Sequence, residues 1–177
     1  MPEFELDPRL HADRGQSDAW EDIGALDDLD MTDFMKVLRS EHNVQLDKQS
    51  SILEVGVGKA RLFKRLRSEG YDVTGVEARK RDEHTPDLPV ANIRIEEMPF
   101  SGKTATFDMV IGSSIFDKEV YIQNQKLMLK RIVDSLRPGG IFLYGFFMGF
   151  GDLSVQGLGK LKMPSPYNDG MAVYQKI

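Results

Sequence analysis

The stretch Ile52-Leu53-Glu54-Val55-Gly56-Val57-Gly58-Lys59-Ala60-Arg61-Leu62 decides how the chain is read. It opens with Ile52, Leu53 and Val55, a short apolar run of the kind that forms a buried strand. It breaks at Gly56 and Gly58. It resumes in a helical pattern, with Leu62, Phe63 and Leu66 on one side and Arg61, Lys64, Arg65 and Arg67 on the other, and Gly70 supplies the stop. Strand, glycine turn and helix in succession make a seat for a polar ligand. Glycine lets backbone come close to the ligand, and the unpaired N–H groups of the helix start point at it.

Working outward, the first strand spans Ser51 to Val55 and the helix Lys59 to Glu69. Tyr71 to Glu77 is a second strand ending in an acid, and Val90 to Ile95 a short third. Between them Arg79 to Pro89 is polar and carries two prolines, against a full helix. Thr106 to Gly112 is a fourth strand. A helix from Lys118 to Leu136 buries Leu129, Ile132, Val133 and Leu136, and Arg137-Pro138-Gly139-Gly140 stops it. Ile141 to Phe147 is a fifth strand, apolar throughout, as fits a strand covered on both faces. Met171 to Ile177 reads as a closing strand. Upstream, Met31, Phe34, Met35 and Leu38 follow the i, i+3, i+4, i+7 rule, so a helix runs to about His42, with Asp28, Asp30 or Thr32 to cap it. Residues 1–27 are polar and acidic and read as a flexible arm, with Trp20 packed on the domain edge or, as the alternative, serving as a ligand lid. Residues 28–177 read as one domain. The alternation of strands and helices predicts an α/β fold, a doubly wound and mostly parallel sheet with helices on both faces.

Composition narrows the function. The 177 residues are 29% charged and 41% apolar, with a net charge of −5, an ordinary globular balance that argues against a nucleic-acid surface. With no cysteine there is no disulfide and no thiolate metal site. His11, His42 and His84 are scattered, without metal-ligand spacing to nearby carboxylates. No apolar run reaches the ~20 residues of a membrane helix, and the acidic N-terminus lacks a signal-peptide core. A cytoplasmic protein off the membrane is the expectation.

In open parallel sheets ligands bind beyond the C-terminal strand ends, where strand order reverses. Four groups fall there: Glu54 to Gly58, Glu77, Ile95 to Glu97, and Gly112 to Ser114. Glu77 lies 19 residues after Gly58, a distance at which an acid accepts both hydroxyls of a ribose.

With these residues in place, the chain resembles the class I S-adenosylmethionine-dependent methyltransferases. Glu54-Val55-Gly56-Val57-Gly58-Lys59-Ala60 is similar to their first motif, E/D-x-G-x-G-x-G, and Glu77 matches the acid of their second. Ile95-Glu96-Glu97-Met98-Pro99-Phe100 resembles the segment that carries the adenine. Phe107-Asp108-Met109-Val110 resembles their fourth strand, and Leu136-Arg137-Pro138-Gly139-Gly140 the turn before their fifth. The resemblance covers roughly Ser51 to Phe147 and implies a Rossmann-like methyltransferase fold, with room after the fifth strand for a shortened antiparallel hairpin.

The resemblance implies S-adenosylmethionine as cofactor. Gly56 and Gly58 pass its methionine part, Glu54 helps hold the amino group, and Glu77 binds the ribose with Ala78 beside the adenine. Ile95 and Glu96 meet the adenine edge, and Gly112 and Ser113 wall the sulfonium. Three positions depart from the pattern. Ala60 replaces the third glycine and is expected to sit there with little strain, Lys59 adds a cation, and Arg94 stands where an adenine-binding Asp is usual.

Methyl transfer from a sulfonium is an in-line displacement, so holding the nucleophile aligned supplies much of the catalysis. No catalytic base is assigned; Asp117, Glu119, Tyr144 and Asp152 are conceivable. An acceptor site is expected from Ser113 to Glu119, from Phe146 to Asp152 and from the N-terminal helix or arm. Gly112-Ser113-Ser114-Ile115 stands where amide and exocyclic-amine methyltransferases carry Asn-Pro-Pro-Tyr, which disfavours adenine or glutamine-amide methylation; a small-molecule acceptor is the expectation. Two other readings remain: a non-catalytic scaffold on the same fold, and a nicotinamide oxidoreductase. Against the second, Arg61 occupies the last glycine position of G-x-G-x-x-G.

Overall fold

The computed structural model describes residues 26–58, 60–77, 90–91, 95, 107–113, 115, 122–145, 153, 155–167 and 170–177. Along the chain these form α1 (Met31–His42), β1 (Ser51–Val55), α2 (Arg61–Ser68), β2 (Asp72–Val76), β3 (Val90–Ala91), β4 (Phe107–Ser113), α3 (Ile122–Ser135), β5 (Leu136–Gly145), β6 (Leu158–Leu161) and β7 (Met171–Lys176). The strands make one sheet in the order β3-β2-β1-β4-β5-β7-β6. β3 through β5 run parallel; β7 pairs antiparallel with β5, and β6 antiparallel with β7.

Side-chain alternation along the strands sorts the core into two layers. Ile52, Met109, Ile111, Ile141, Leu143 and Val173 face α1 and α2, which bury Met31, Phe34, Met35, Leu38, Leu62, Phe63 and Leu66 against them. Leu53, Val55, Val110, Phe142, Tyr144 and Tyr174 face the other way and meet Leu129 and Ile132 of α3. The sheet is therefore doubly wound, with an antiparallel hairpin at its end. Among the described residues no helix is long and apolar enough to cross a membrane.

The ends of the helices follow from local chemistry. Asp30 caps α1 by accepting from the Asp33 N–H at 2.9 Å. At the end of α2, Gly70 takes φ +87°, and the Tyr71 N–H reaches back to the Leu66 carbonyl at 3.0 Å.

Several expectations shift. Arg137-Pro138-Gly139-Gly140 is part of β5, which starts at Leu136 rather than at Ile141. The pairing of β4 with β5 slips there, from Phe107↔Leu136 to Met109↔Ile141, so the segment acts as a bulge. β6, with its Gly-Lys centre, carries too weak an alternation to read as a strand. Leu26, inside the expected arm, is 1% exposed; the rest of that arm up to residue 25 lies outside the described residues.

Candidate functional site

Strand order reverses between β1 and β4, and the chain after each leaves the sheet at its C-terminal end. Gly56 and Gly58 follow β1 with φ of +71° and +53°, values that cost glycine nothing. The Gly56 N–H donates to the Val76 carbonyl at 2.9 Å, which ties the loop to the end of β2. Glu77 follows β2 directly. Its Oε2 accepts from the Gly58 N–H at 2.7 Å, so the acid and the glycine loop meet as their spacing predicts. The Glu77 N–H in turn donates to Ala91 of β3 at 3.0 Å.

Ala60 corrects one expectation. It caps α2 in the left-handed region, with φ 61° and ψ 27° and no side-chain capping bond. A third glycine would be unstrained here, whereas alanine costs about 1–2 kcal/mol.

Glu54 stands at the fourth position of β1 and is 3% exposed. Its Oε2 has no hydrogen-bond partner. Burial pushes its carboxyl from 4.5 up to about 8, and the charges of Asp27 and then Glu77 add to the rise. Ser113 ends β4 opposite Gly145, and its buried Oγ also lacks a partner. Glu54 pairs in register with Ile111, and Ser113 lies two residues further on the same face of β4. Two buried, unsatisfied oxygens thus lie toward one end of one face. Buried polar atoms are nearly always bonded, so this pair fits a ligand that brings donors.

Gly58 has open space where a Cβ would stand, with nothing nearer than the Gly56 carbonyl at 4.0 Å. Gly56 and Gly112 differ: a Cβ on either would strike Ile115, at 2.9 and 2.5 Å. Ile115, within the stretch expected to build the acceptor site, leans over both glycines. Ile95 is buried beneath this end of the sheet with Val55, Val76 and Ile115. Tyr144 is buried as well, its ring stacked on Phe142 at 6.2 Å, which places it in the core. Ala78, Glu96, Lys59, Arg94, Asp117, Glu119 and Asp152 lie outside the described residues.

The structure adds Asp27 and Arg61, 3.8 Å apart at the start of α2. No local pattern marks Asp27, because its place depends on Leu26 packing against the distant Gly145.

A family model described as "Methyltransferase domain" matches residues 53–144, more than half of the chain. The chain belongs to the class I S-adenosylmethionine-dependent methyltransferase family. No curated relative matches it. Among solved structures, the methyltransferase domain is similar to the 1,6-didemethyltoxoflavin-N1-methyltransferase of Burkholderia thailandensis, solved with 1,6-didemethyltoxoflavin and S-adenosylhomocysteine. The TM-score is 0.61 at 17% identity, over 90% of this chain and 81% of that one. It is also similar to an S-adenosyl-L-methionine methyl transferase from Silicibacter pomeroyi DSS-3, with TM-score 0.56, 21% identity and coverage of 72% and 83%. A third is the N-methyltransferase NodS of Bradyrhizobium japonicum WM9, in complex with S-adenosylhomocysteine, with TM-score 0.53, 13% identity and coverage of 82% and 86%. At these identities the likeness is one of fold. The methyltransferase domain brings with it the family's cofactor, S-adenosylmethionine.

Proposed function

We propose that the protein is an S-adenosylmethionine-dependent methyltransferase that acts on a small molecule. The observation that carries this reading is the contact of Glu77 with the Gly58 N–H, beside the buried and unsatisfied carboxyl of Glu54. Glu77 is placed to accept the ribose hydroxyls, since a carboxylate offers about four acceptor sites. Gly56 and Gly58 let the backbone lie against the ligand, and Glu54 holds its amino group. Ala78, Ile95 and Glu96 are assigned to the adenine, and Gly112 with Ser113 to the side nearest the sulfur. Bound there, the cofactor supplies an activated methyl group on a good leaving group.

The residues' own work is then alignment and exclusion of water at the ends of β1 and β4. Two similar structures carry N-methyltransferase descriptions, one solved with bound 1,6-didemethyltoxoflavin, which supports a small-molecule acceptor. Incubation with S-adenosylmethionine and a panel of small amines, phenols and heterocycles tests it. Formation of S-adenosylhomocysteine that depends on an acceptor is the expected result; none across the panel, with cofactor bound, would favour the second reading.

That second reading is a non-catalytic member of the fold. It draws on Ile115, whose side chain takes the space beside Gly56 and Gly112. A bound ligand must share that space or displace the isoleucine.

A further inference from the structure

The end of the sheet remote from the glycine loop carries a cavity of its own. Its volume is about 380 Å³, within the range of small-molecule sites. It lies where the turn after α1 meets the starts of β4 and β5 and the end of β7. Val44 and Leu46 of that turn are buried in the core layer under α1 and α2, and they give the cavity an apolar lining.

Polar groups stand around this lining, and two of them are held in place. The Arg137 guanidinium pairs through Nε with Oδ1 of Asp108. Oδ2 of Asp108 accepts from the Ser51 N–H and hydroxyl. The buried carboxylate is therefore engaged at both oxygens, and it fixes the guanidinium without calling for a second cation. The Arg137 side chain is half exposed, and Asp108 is its only partner among the described residues. A guanidinium has five donors, more than that one pairing uses. The Gln175 amide is oriented by its Nε2, which donates to the Gly139 carbonyl at 3.2 Å. Its Oε1 is left as an acceptor at the cavity. Asn43, the left-handed residue that ends α1, and Gln45 bring two further amides, whose side chains have no partner among the described residues.

An apolar lining, a fixed cation with spare donors and a fixed amide acceptor match a short organic acid that also carries a hydroxyl. We propose that this cavity binds a small hydroxy acid. The carboxylate lies on the Arg137 guanidinium, which takes it as a fork. The hydroxyl donates to Gln175 Oε1, and the aliphatic part rests on Val44 and Leu46. An amino acid is a poorer match, because Asp108 has no oxygen left for an ammonium group. The cavity is at the opposite end of the strands from Gly58 and Glu77, so its occupancy is separate from that of the cofactor.

The test is an NMR titration of the full ¹⁵N-labelled chain with lactate, acetate and inorganic phosphate at constant ionic strength. Signals are read at the side-chain amides of Asn43, Gln45 and Gln175 and at the Gly139 N–H. Lactate is expected to move them together and saturably, and acetate, which lacks the hydroxyl, to bind about threefold more weakly or less tightly still. Arg137→Lys keeps a cation beside Asp108 but not the fork, and should weaken lactate about tenfold. Gln175→Leu, which leaves the Asp108 pair alone, should bring lactate down to the affinity of acetate. Shifts confined to other residues, or shifts that do not saturate, would overturn the site. Equal affinity for lactate and acetate, tighter binding of phosphate, or lactate affinity unchanged in folded Arg137→Lys or Gln175→Leu would overturn the hydroxy-acid assignment.

Discussion

Glu54 holds a carboxyl group where water cannot solvate it and no donor meets Oε2. In the unfolded chain it ionises near 4.5, in the fold at about 8. Below 4.5 both states hold the proton. Between the two values only the folded state does, so stability falls as pH rises through that window and levels off above it. Glu54→Gln removes this slope. The variant should match the wild type near pH 4 and exceed it by a few kcal/mol near pH 9, as urea unfolding at both pH values would show. A cationic ligand reverses the balance by favouring the ionised carboxylate, so the same variant should bind S-adenosylhomocysteine more weakly. Ala60 gives a second expectation at this scale. Ala60→Gly relieves the left-handed strain but gives up a buried methyl, for a net gain of about 0.5–1 kcal/mol in thermal unfolding. The meeting of Glu77 with Gly58 was legible in the sequence, because the two sit at a fixed spacing just after local strand ends. Asp27 and Ile115 were not. Their positions come from contacts with Gly145 and with Gly56 and Gly112, which join parts of the chain that no local pattern links.

The strands that carry the site are fastened at their opposite end. Asp108, at the start of β4, accepts from the Ser51 N–H at 2.6 Å and from the Ser51 hydroxyl at 3.0 Å, and pairs with Arg137 of β5. One buried acid thus locks the entry of β1, β4 and β5. Its removal leaves a backbone N–H without its acceptor, so Asp108→Ala should cost about 2–4 kcal/mol in urea unfolding with little direct effect on cofactor contacts. This is the physical content of the Phe107-Asp108 and Arg137-Pro138-Gly139-Gly140 motifs: they register strands rather than touch the cofactor. Sequence patterning placed α1, β1, β2, β4 and β7 closely, since each has a strong period or clear punctuation. It failed where tertiary pairing overrides local chemistry. The Pro-Gly-Gly run reads as a breaker, yet β4 recruits it into a bulged strand. Gly159 weakens the pattern of β6, yet β7 supplies its partner.

Over the whole molecule, the two core layers fix the sheet and leave one end of it for chemistry. α1 and α2 cover one face, α3 the other. The loops after β1, β2 and β4 converge where strand order reverses, and there Glu54 is buried, Ile115 crowds Gly56 and Gly112, and two oxygens go unsatisfied. The parallel sheet was legible as a whole from the alternation of elements, while the lining of its crevice was legible only in the part built from adjacent motifs. The most direct test of the central claim is a crystal structure of the protein with S-adenosylhomocysteine. The account predicts the ribose on the Glu77 carboxylate, the backbone of Gly56 to Gly58 against the ligand, and the amino group on Glu54. A nucleoside bound elsewhere, or a crevice still closed by Ile115 at saturating ligand, would contradict it.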